Sequence, residues 1–411
     1  MKKLFLTAVS VLLTTVMAMG AGYQLNLQGL RQLAMGGSGT AYAWDASTLF
    51  YNPAGLSSLN HIQASGSLLF LTPSVEYAES VGKYYTTSKS QTFTPINIYV
   101  GGPVRSGSPV AIGIGLYTPF GSGLNWGNSW TGRYVIEDIE LRTYFLQPTI
   151  SYKFNDVWSV GAGFVYAFGS LDMKQAVPVQ NNLNNIDPQS ELYGRATGIG
   201  FNAGIHIKPT KWLHIGLTYR SQVNMKTTGG SATFTDLPSS LASTFPNTTF
   251  SSTLPLPATA SIGFAVKATQ NLTLQFDVNF VGWQTLDSLR FNFAQNVNGA
   301  DHISSPRNYR NRAAFRLGGN LKLGSGWAIM AGTAFDPTPA QATFISPDLP
   351  DADRILVTGG FTYKPAKKIT LMAAIEYVTS NKINGNFDFA GFGGKYQTKA
   401  LTTGIGMSYN F

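Results

Sequence analysis

Period-two alternation of apolar and polar residues recurs from residue 61 to the last residue, and no other feature constrains the fold as strongly. Leu272, Leu274, Phe276, Val278 and Phe280 interleave with Thr273, Gln275, Asp277 and Asn279. Successive side chains of a strand point to opposite faces, so each such stretch makes a ribbon with one greasy and one polar side. Trp158, Val160, Ala162, Phe164, Tyr166 and Phe168 alternate in the same way with Ser159, Gly161 and Gly163. The last stretch sets Leu401, Thr403, Ile405, Met407, Tyr409 and Phe411 on one face and Ala400, Thr402, Gly404, Gly406, Ser408 and Asn410 on the other. Beyond residue 20, no apolar run reaches the roughly 18 residues that a membrane-spanning helix needs.

The first residues set the compartment. Lys2 and Lys3 precede an apolar core from Leu4 to Val16, and Ala18-Met19-Gly20 supplies small residues for cleavage. This pattern predicts a secretory signal over 1–20 and a mature start at Ala21. The chain has no cysteine, which excludes a disulfide-stapled secreted fold and a thiolate metal site. Charged residues are only 12 %, and 44 glycines accompany 13 % aromatics. An exported, weakly charged chain rich in Gly and aromatics fits a β-barrel of the Gram-negative outer membrane. The net charge of +9 is spread over turns and loops. A nucleic-acid partner would need a basic patch, and none is predicted.

Short turns after a lysine recur at 152–161, 207–216, 266–275, 321–332 and 363–373, with long Ser/Thr/Asn/Pro-rich stretches between them. Tight turns on one side and long loops on the other are the hairpin asymmetry of outer-membrane barrels. A propeller would require four short strands per repeat, whereas each unit here holds two. Counting predicts fourteen strands over 61–411. An alternating carboxyl-terminal strand that ends on Phe411 predicts recognition by the barrel-assembly machinery. Residues 21–60 do not alternate and read as short helical turns broken by Pro53. A ring of fourteen strands leaves a bore that must be open or plugged. This segment is the expected plug, or hatch. The predicted fold is all-β: a fourteen-stranded antiparallel outer-membrane barrel with an amino-terminal hatch in its lumen.

The mature start AGYQLNLQGLRQLAMGGSGTAYAWDASTLFYNPAGL resembles that of the FadL/TodX-type outer-membrane transporters of long-chain fatty acids and aromatic hydrocarbons. Further similarities follow in order: LYTPFGSG at 116–123, WTGRYV at 130–135, GFNAGIHIKPTKWLHIGLTYRS at 200–221, AFDPTPA at 334–340 and PDADR at 350–354. The resemblance spans essentially the whole mature chain. It implies passive uptake of hydrophobic molecules, long-chain fatty acids foremost, by a monomer without a cofactor. It implies capture in an external groove, passage to a lumen pocket and hatch-gated release, sideways through a kink in the third strand. Each buried CH₂ is worth about 0.8 kcal/mol, so one deep site for a long tail would release it too slowly. Staged sites of graded depth avoid that trap.

Asn52, Pro53 and Ala54 stand where the family carries its hatch signature. The loops at 171–194 and 226–256 correspond to the groove-forming loops. They carry Leu171 and Met173 in the first, and Leu237, Leu241, Phe245 and Phe250 in the second. These residues form a ligand groove or pack the loops into a cap. In the third strand, Gly113, Gly115 and Pro119 are suited to a kink, because Pro lacks a ladder donor. The alternative is that inward glycines make room for the hatch. Arg310 lies where relatives carry a basic residue at the polar end of the pocket, and Arg133 is a second candidate for a carboxylate head group. Rim arginines also suit lipopolysaccharide phosphates and outer-membrane lipid. Arg220 faces inward and is the expected hatch anchor.

Two other classes fit the sequence less well. A lipid-modifying enzyme would need a partnered catalytic set, and His206 and His214, which flank one turn, have no evident carboxylate or serine arrangement. No catalytic residue and no metal site are predicted. A general porin would need a charged constriction and no hatch.

Overall fold

A computed structural model describes residues 22–80, 82–179 and 187–411. The expected signal at 1–20, and residues 180–186 of the expected loop at 171–194, lie outside the described residues. Fourteen antiparallel strands close into one barrel. In chain order they are β1 (Gln63–Ala78), β2 (Ile96–Pro103), β3 (Val110–Tyr117, then Gly121–Asn125), β4 (Asp138–Lys153), β5 (Trp158–Ala176), β6 (Gln189–Ile207) and β7 (Leu213–Arg220, then Val223–Thr235). They continue with β8 (Thr248–Leu256, then Thr259–Lys267), β9 (Leu272–Val281, then Ser288–Val297), β10 (Ala300–Pro306, then Arg312–Gly324), β11 (Trp327–Asp336), β12 (Arg354–Ala366), β13 (Ile369–Ser380, then Ile383–Phe387) and β14 (Phe392–Asn410). Neighbours in sequence are neighbours in the ring. β14 returns to β1 with a register running from Gln63↔Asn410 to Ala78↔Lys395, so no edge is left to aggregate.

The alternation sets what faces lipid. On the lower part of β9, Phe280 points outward, while Thr273, Gln275 and Asp277 are buried toward the bore. Ile199, Ile150 and Ile405 are the outward counterparts on β6, β4 and β14. Beside the short turns, the Trp327 ring stacks on Tyr363 at 4.4 Å, and Tyr409 meets Phe411 edge-on at 5.1 Å. Such amphipathic rings belong at a membrane–water boundary. The Phe411 N–H donates to Ile62 O at 3.0 Å, tying the last residue to the start of β1.

The structure corrects one expectation here. Most of the described residues of 171–194 and 226–256 are not loop but strand, as β5 to β9 rise well above the lipid-facing band. In these upper parts the alternation keeps its period and inverts its sense. Phe250, Phe291 and Phe293 are buried inward, while Thr249, Arg290 and Asn292 face out. Water now lies outside the wall, so the apolar face turns to the interior. β7, β8, β9 and β10 are all interrupted between their lower and upper parts, near where the sense changes.

Residues 22–59 pack against the inner face of the ring. They hold two one-turn helices, α1 (Leu30–Leu33) and α2 (Thr48–Tyr51), and a 3₁₀ turn over Pro53–Ser58. Backbone and wall touch through inward glycines. A Cβ on Gly216 would overlap the Thr40 carbonyl, one on Gly332 the Met35–Gly36 peptide, one on Gly318 Met35, and one on Gly161 the Pro53–Ala54 peptide. Leu30 presses on Gly404 and Gly406, so the segment touches the wall on opposite sides of the barrel.

Candidate functional site

The third strand carries the break that shapes the interior. The β2–β3 ladder ends at Asn97↔Tyr117. Above it, Pro95 and Pro119 have no N–H to extend the ladder. The upper part of β3 pairs only with β4. Its free side is taken by the amino-terminal segment: Leu25 N–H donates to Pro119 O at 2.9 Å, and Gly121 N–H donates to Tyr23 O at 3.0 Å. Residues 92–95 leave the β2 line, and Phe93 exchanges backbone hydrogen bonds with Leu71 of β1 at 2.8 and 2.9 Å. The Phe93 ring then lies against Gly123, spanning the gap.

A cavity of about 510 Å³ passes through this gap. Inside it is bounded by Leu25, Leu27, Leu349, Leu356, Val378 and Ala400; outside it reaches Arg142 and Tyr144, which point outward on β4. Its inner end is polar. Asp351 Oδ2 accepts from Gly22 N–H at 2.9 Å and from Thr338 Oγ1 at 2.7 Å, and Arg354 Nη2 donates to Gly22 O and to Asp351 Oδ1, each at 2.6 Å. Arg307 clasps Asp348 through two hydrogen bonds of 3.0 and 2.8 Å. Asp336 accepts from Asn26 at 3.2 Å and from Arg316 at 3.4 Å. Glu376, on β13, accepts from Thr402 Oγ1 at 3.4 Å.

The residues singled out from sequence fall in three places. Leu171, Met173, Phe245 and Phe250 meet in one apolar cluster with Phe291 and Phe293 at the top of the barrel, among β5 to β9. Leu237 and Leu241 are half-buried in the β7–β8 connection, outside that cluster. None of these lines the cavity, and neither do the two arginines. Arg310 is exposed. Arg133 is tied to Asp187 at 2.5 Å, and its guanidinium holds the Asp187 carboxyl below the usual carboxylate range. Gly113 and Gly115 sit below the break in β3, facing Leu49, whereas Pro119 is at the break itself. Sequence reasoning assigned no role to Phe93, Asp336 or Glu376. Glu376 was within reach, since it is an acid on the inward face between Ile375 and Tyr377. Asp351 and Arg354 stand in the PDADR stretch at 350–354, where nothing local marks their role.

Asn52 fastens the segment to the opposite wall. Its Nδ2 donates to Thr40 O at 2.9 Å and to Ile205 O at 3.0 Å, and its Oδ1 accepts from Ala54 N–H at 3.1 Å. Pro53 lies between Gly161 and Gly204, and the Ala54 carbonyl accepts from Ser151 at 3.1 Å and Ser159 at 3.2 Å. Arg220 donates to Phe50 O at 2.8 Å. Asn52→Ala leaves two buried carbonyls short of a donor, at a cost of about 2–4 kcal/mol to the seated segment. Hydrogen exchange is expected to rise over 40–56 while the β6–β7 ladder keeps its protection; unchanged exchange over 40–56 would count against this anchoring.

His206 and His214 stand 3.4 Å apart, and Ser58 Oγ is 3.3 Å from His206 Nδ1. Among the described residues no group of three or more His, Cys, Asp or Glu could hold a metal ion.

Residues 11–411 match the profile of the family described as outer membrane protein transport protein (OMPP1/FadL/TodX). The chain is 25 % identical to the long-chain fatty acid transport protein of Escherichia coli K12, over 98 % of this chain and 97 % of that one. It is 23 % identical to outer membrane protein P1 of Haemophilus influenzae, covering 91 % and 90 %. In structure it resembles a Pseudomonas aeruginosa FadL homologue, with a TM-score of 0.83, 20 % identity and coverage of 95 % and 100 %. It also resembles the Pseudomonas putida toluene transporter TodX, with a TM-score of 0.73, 18 % identity and coverage of 93 % and 98 %. A fourteen-stranded outer-membrane barrel that matches this profile over nearly its whole length is a transport protein rather than an enzyme, and the chain belongs to the OMPP1/FadL/TodX family.

Proposed function

We propose that this chain is a passive channel for small hydrophobic molecules whose hatch is the amino-terminal segment, and that its cargo leaves sideways through the break in β3. One observation carries the reading: a single cavity is bounded by Leu356 and Val378 deep in the bore and by Arg142 and Tyr144 on the outer face of β4. A greasy molecule in such a cavity can reach lipid without entering water, which keeps its apolar surface buried throughout. The apolar cluster around Phe250 and Phe291 is the capture surface above it. The relatives' cargoes bracket the class, with long-chain fatty acids for the Escherichia coli protein and toluene for TodX. Hydrophobic ligands are the partners, and outer-membrane lipid receives them.

The test is uptake of labelled oleate and labelled toluene by cells that lack their own transporter and express this chain, beside single-channel recording of the purified barrel. Uptake of at least one compound with little ion current is the expected pair of results. Free ion conduction by the intact protein would mark a porin and overturn the reading.

A further inference from the structure

We propose that the inner end of the cavity takes an uncharged ligand that offers a hydrogen-bond donor, such as a long-chain alcohol or a phenol, and rejects a carboxylate anion. The inference rests on the hydrophobic-uptake reading and names its ligand class.

The guanidiniums at this end are all engaged. Arg354 is held by Asp351 and by the Gly22 carbonyl. Arg307 is bound at both ends of its fork by Asp348. Arg316, behind them, donates to Asn279, to Gly36 O and to Asp336. Against these three guanidiniums stand four carboxyls: Asp336, Asp348, Asp351 and Glu376. Glu376 is the one left over. It is only 4 % exposed, belongs to no ion pair among the described residues, and receives a single long hydrogen bond from Thr402. The other cation on the cavity, Arg142, stands at the outer mouth and is paired with Glu140 at 2.5 Å.

A carboxylate brought to the inner end would give up its water, find no unmatched cation and face a carboxyl of its own kind. Burying an uncompensated charge is costly, and a like charge nearby adds to the cost. A hydroxyl meets the reverse situation. Glu376 and Asp336 offer acceptor oxygens, and Leu356, Val378 and Ala400 offer an apolar wall for the rest of the molecule. The wall therefore sorts by the charge of the head group rather than by the length of the tail.

The full-length barrel in detergent, loaded with a neutral fluorescent hydrocarbon, tests this by displacement with dodecan-1-ol and with dodecanoate at pH 8. The alcohol is expected to displace the probe at a concentration about tenfold lower than the anion, a gap worth one unit in log Kd. Glu376→Gln removes the leftover carboxyl and is expected to narrow the gap from both sides, weakening the alcohol and strengthening the anion. Dodecanoate binding the wild-type barrel as tightly as the alcohol would overturn the inference and leave hydrophobic uptake standing. Displacement by neither compound would overturn the uptake reading itself. The wild-type comparison is sufficient alone, so a poorly folding Glu376→Gln barrel does not remove the test.

Discussion

Gly332→Val is expected to turn a barrel that carries little current into one that conducts ions freely. Gly332 faces the bore from β11, and the Met35–Gly36 peptide lies directly on it; Gly318 receives Met35 from β10. A side chain at 332 would overlap backbone atoms, which cannot swing aside as a rotamer would. Residues 34–37 must therefore retreat, and that motion strips a set of contacts in sequence. Gly36 N–H donates to Thr358 Oγ1 at 2.9 Å, and Gly39 and Thr40 donate to Asp277 at 2.8 and 2.9 Å. Arg316 loses its contact with Gly36 O, and Asp277 is left buried without its donors, a loss of about 1–3 kcal/mol for each unsatisfied group. A ring of fourteen strands is wide enough to leave an aqueous bore once its filling moves. Planar-bilayer recording of Gly332→Val, with deletion of 22–60 as the upper limit and the outward-facing Ile329→Val as the control, provides the measurement. Wild-type conductance in a correctly folded Gly332→Val barrel would mean that the segment does not seal the bore.

Bridging positions 93 and 123 is expected to cut cargo uptake by roughly tenfold or more, because closure of a gate limits flux when passage through it is required. The Phe93 ring spans the gap and rests on Gly123, in the absence of any β2–β3 ladder at this height. The chain has no cysteine, so Phe93→Cys with Gly123→Cys can be joined by a short thiol-reactive linker without side reactions. Uptake should return when a cleavable linker is cut, and ion current should not change, since the link lies beside the bore and not across it. Full uptake through the bridged barrel would show that cargo descends along the axis into the periplasm. Phe93→Ala makes the complementary case, with a wider mouth and faster uptake.

Much of the wall was legible because one rule governs it. Where lipid lies outside and the bore inside, Leu272 to Phe280 can only alternate as they do, and the Lys-led turns mark where each pair of strands reverses. The upper strands escaped because the rule there has its sign reversed. Phe250, Phe291 and Phe293 are inward on strands whose outer face meets water, so stretches scored against a lipid-facing pattern read as loops. The site was harder to read than the wall. Asn52, Pro53 and Pro119 announce themselves, since each has a side chain or a missing donor that acts locally. The inner end of the cavity draws on β11, β12, β13 and the amino terminus, residues hundreds of positions apart whose meeting no local pattern encodes. Arg310 illustrates the difference: sequence puts it at the start of the tenth strand, but it falls in the interruption between the two parts of β10, is exposed and does not line the cavity.

The pairing of Gly22 with Asp351 and Arg354 fixes an order in time. The amino-terminal segment crosses to the periplasm first, yet its partners are among the last residues to arrive, and the ring that surrounds it exists only once β14 has joined β1. Contacts of such sequence separation form late and slowly. Seating of residues 22–25 against Asp351 and Arg354 therefore waits on the carboxyl-terminal third of the chain. If the segment seals the bore, a newly inserted molecule is expected to leak until residues 22–25 have found these partners.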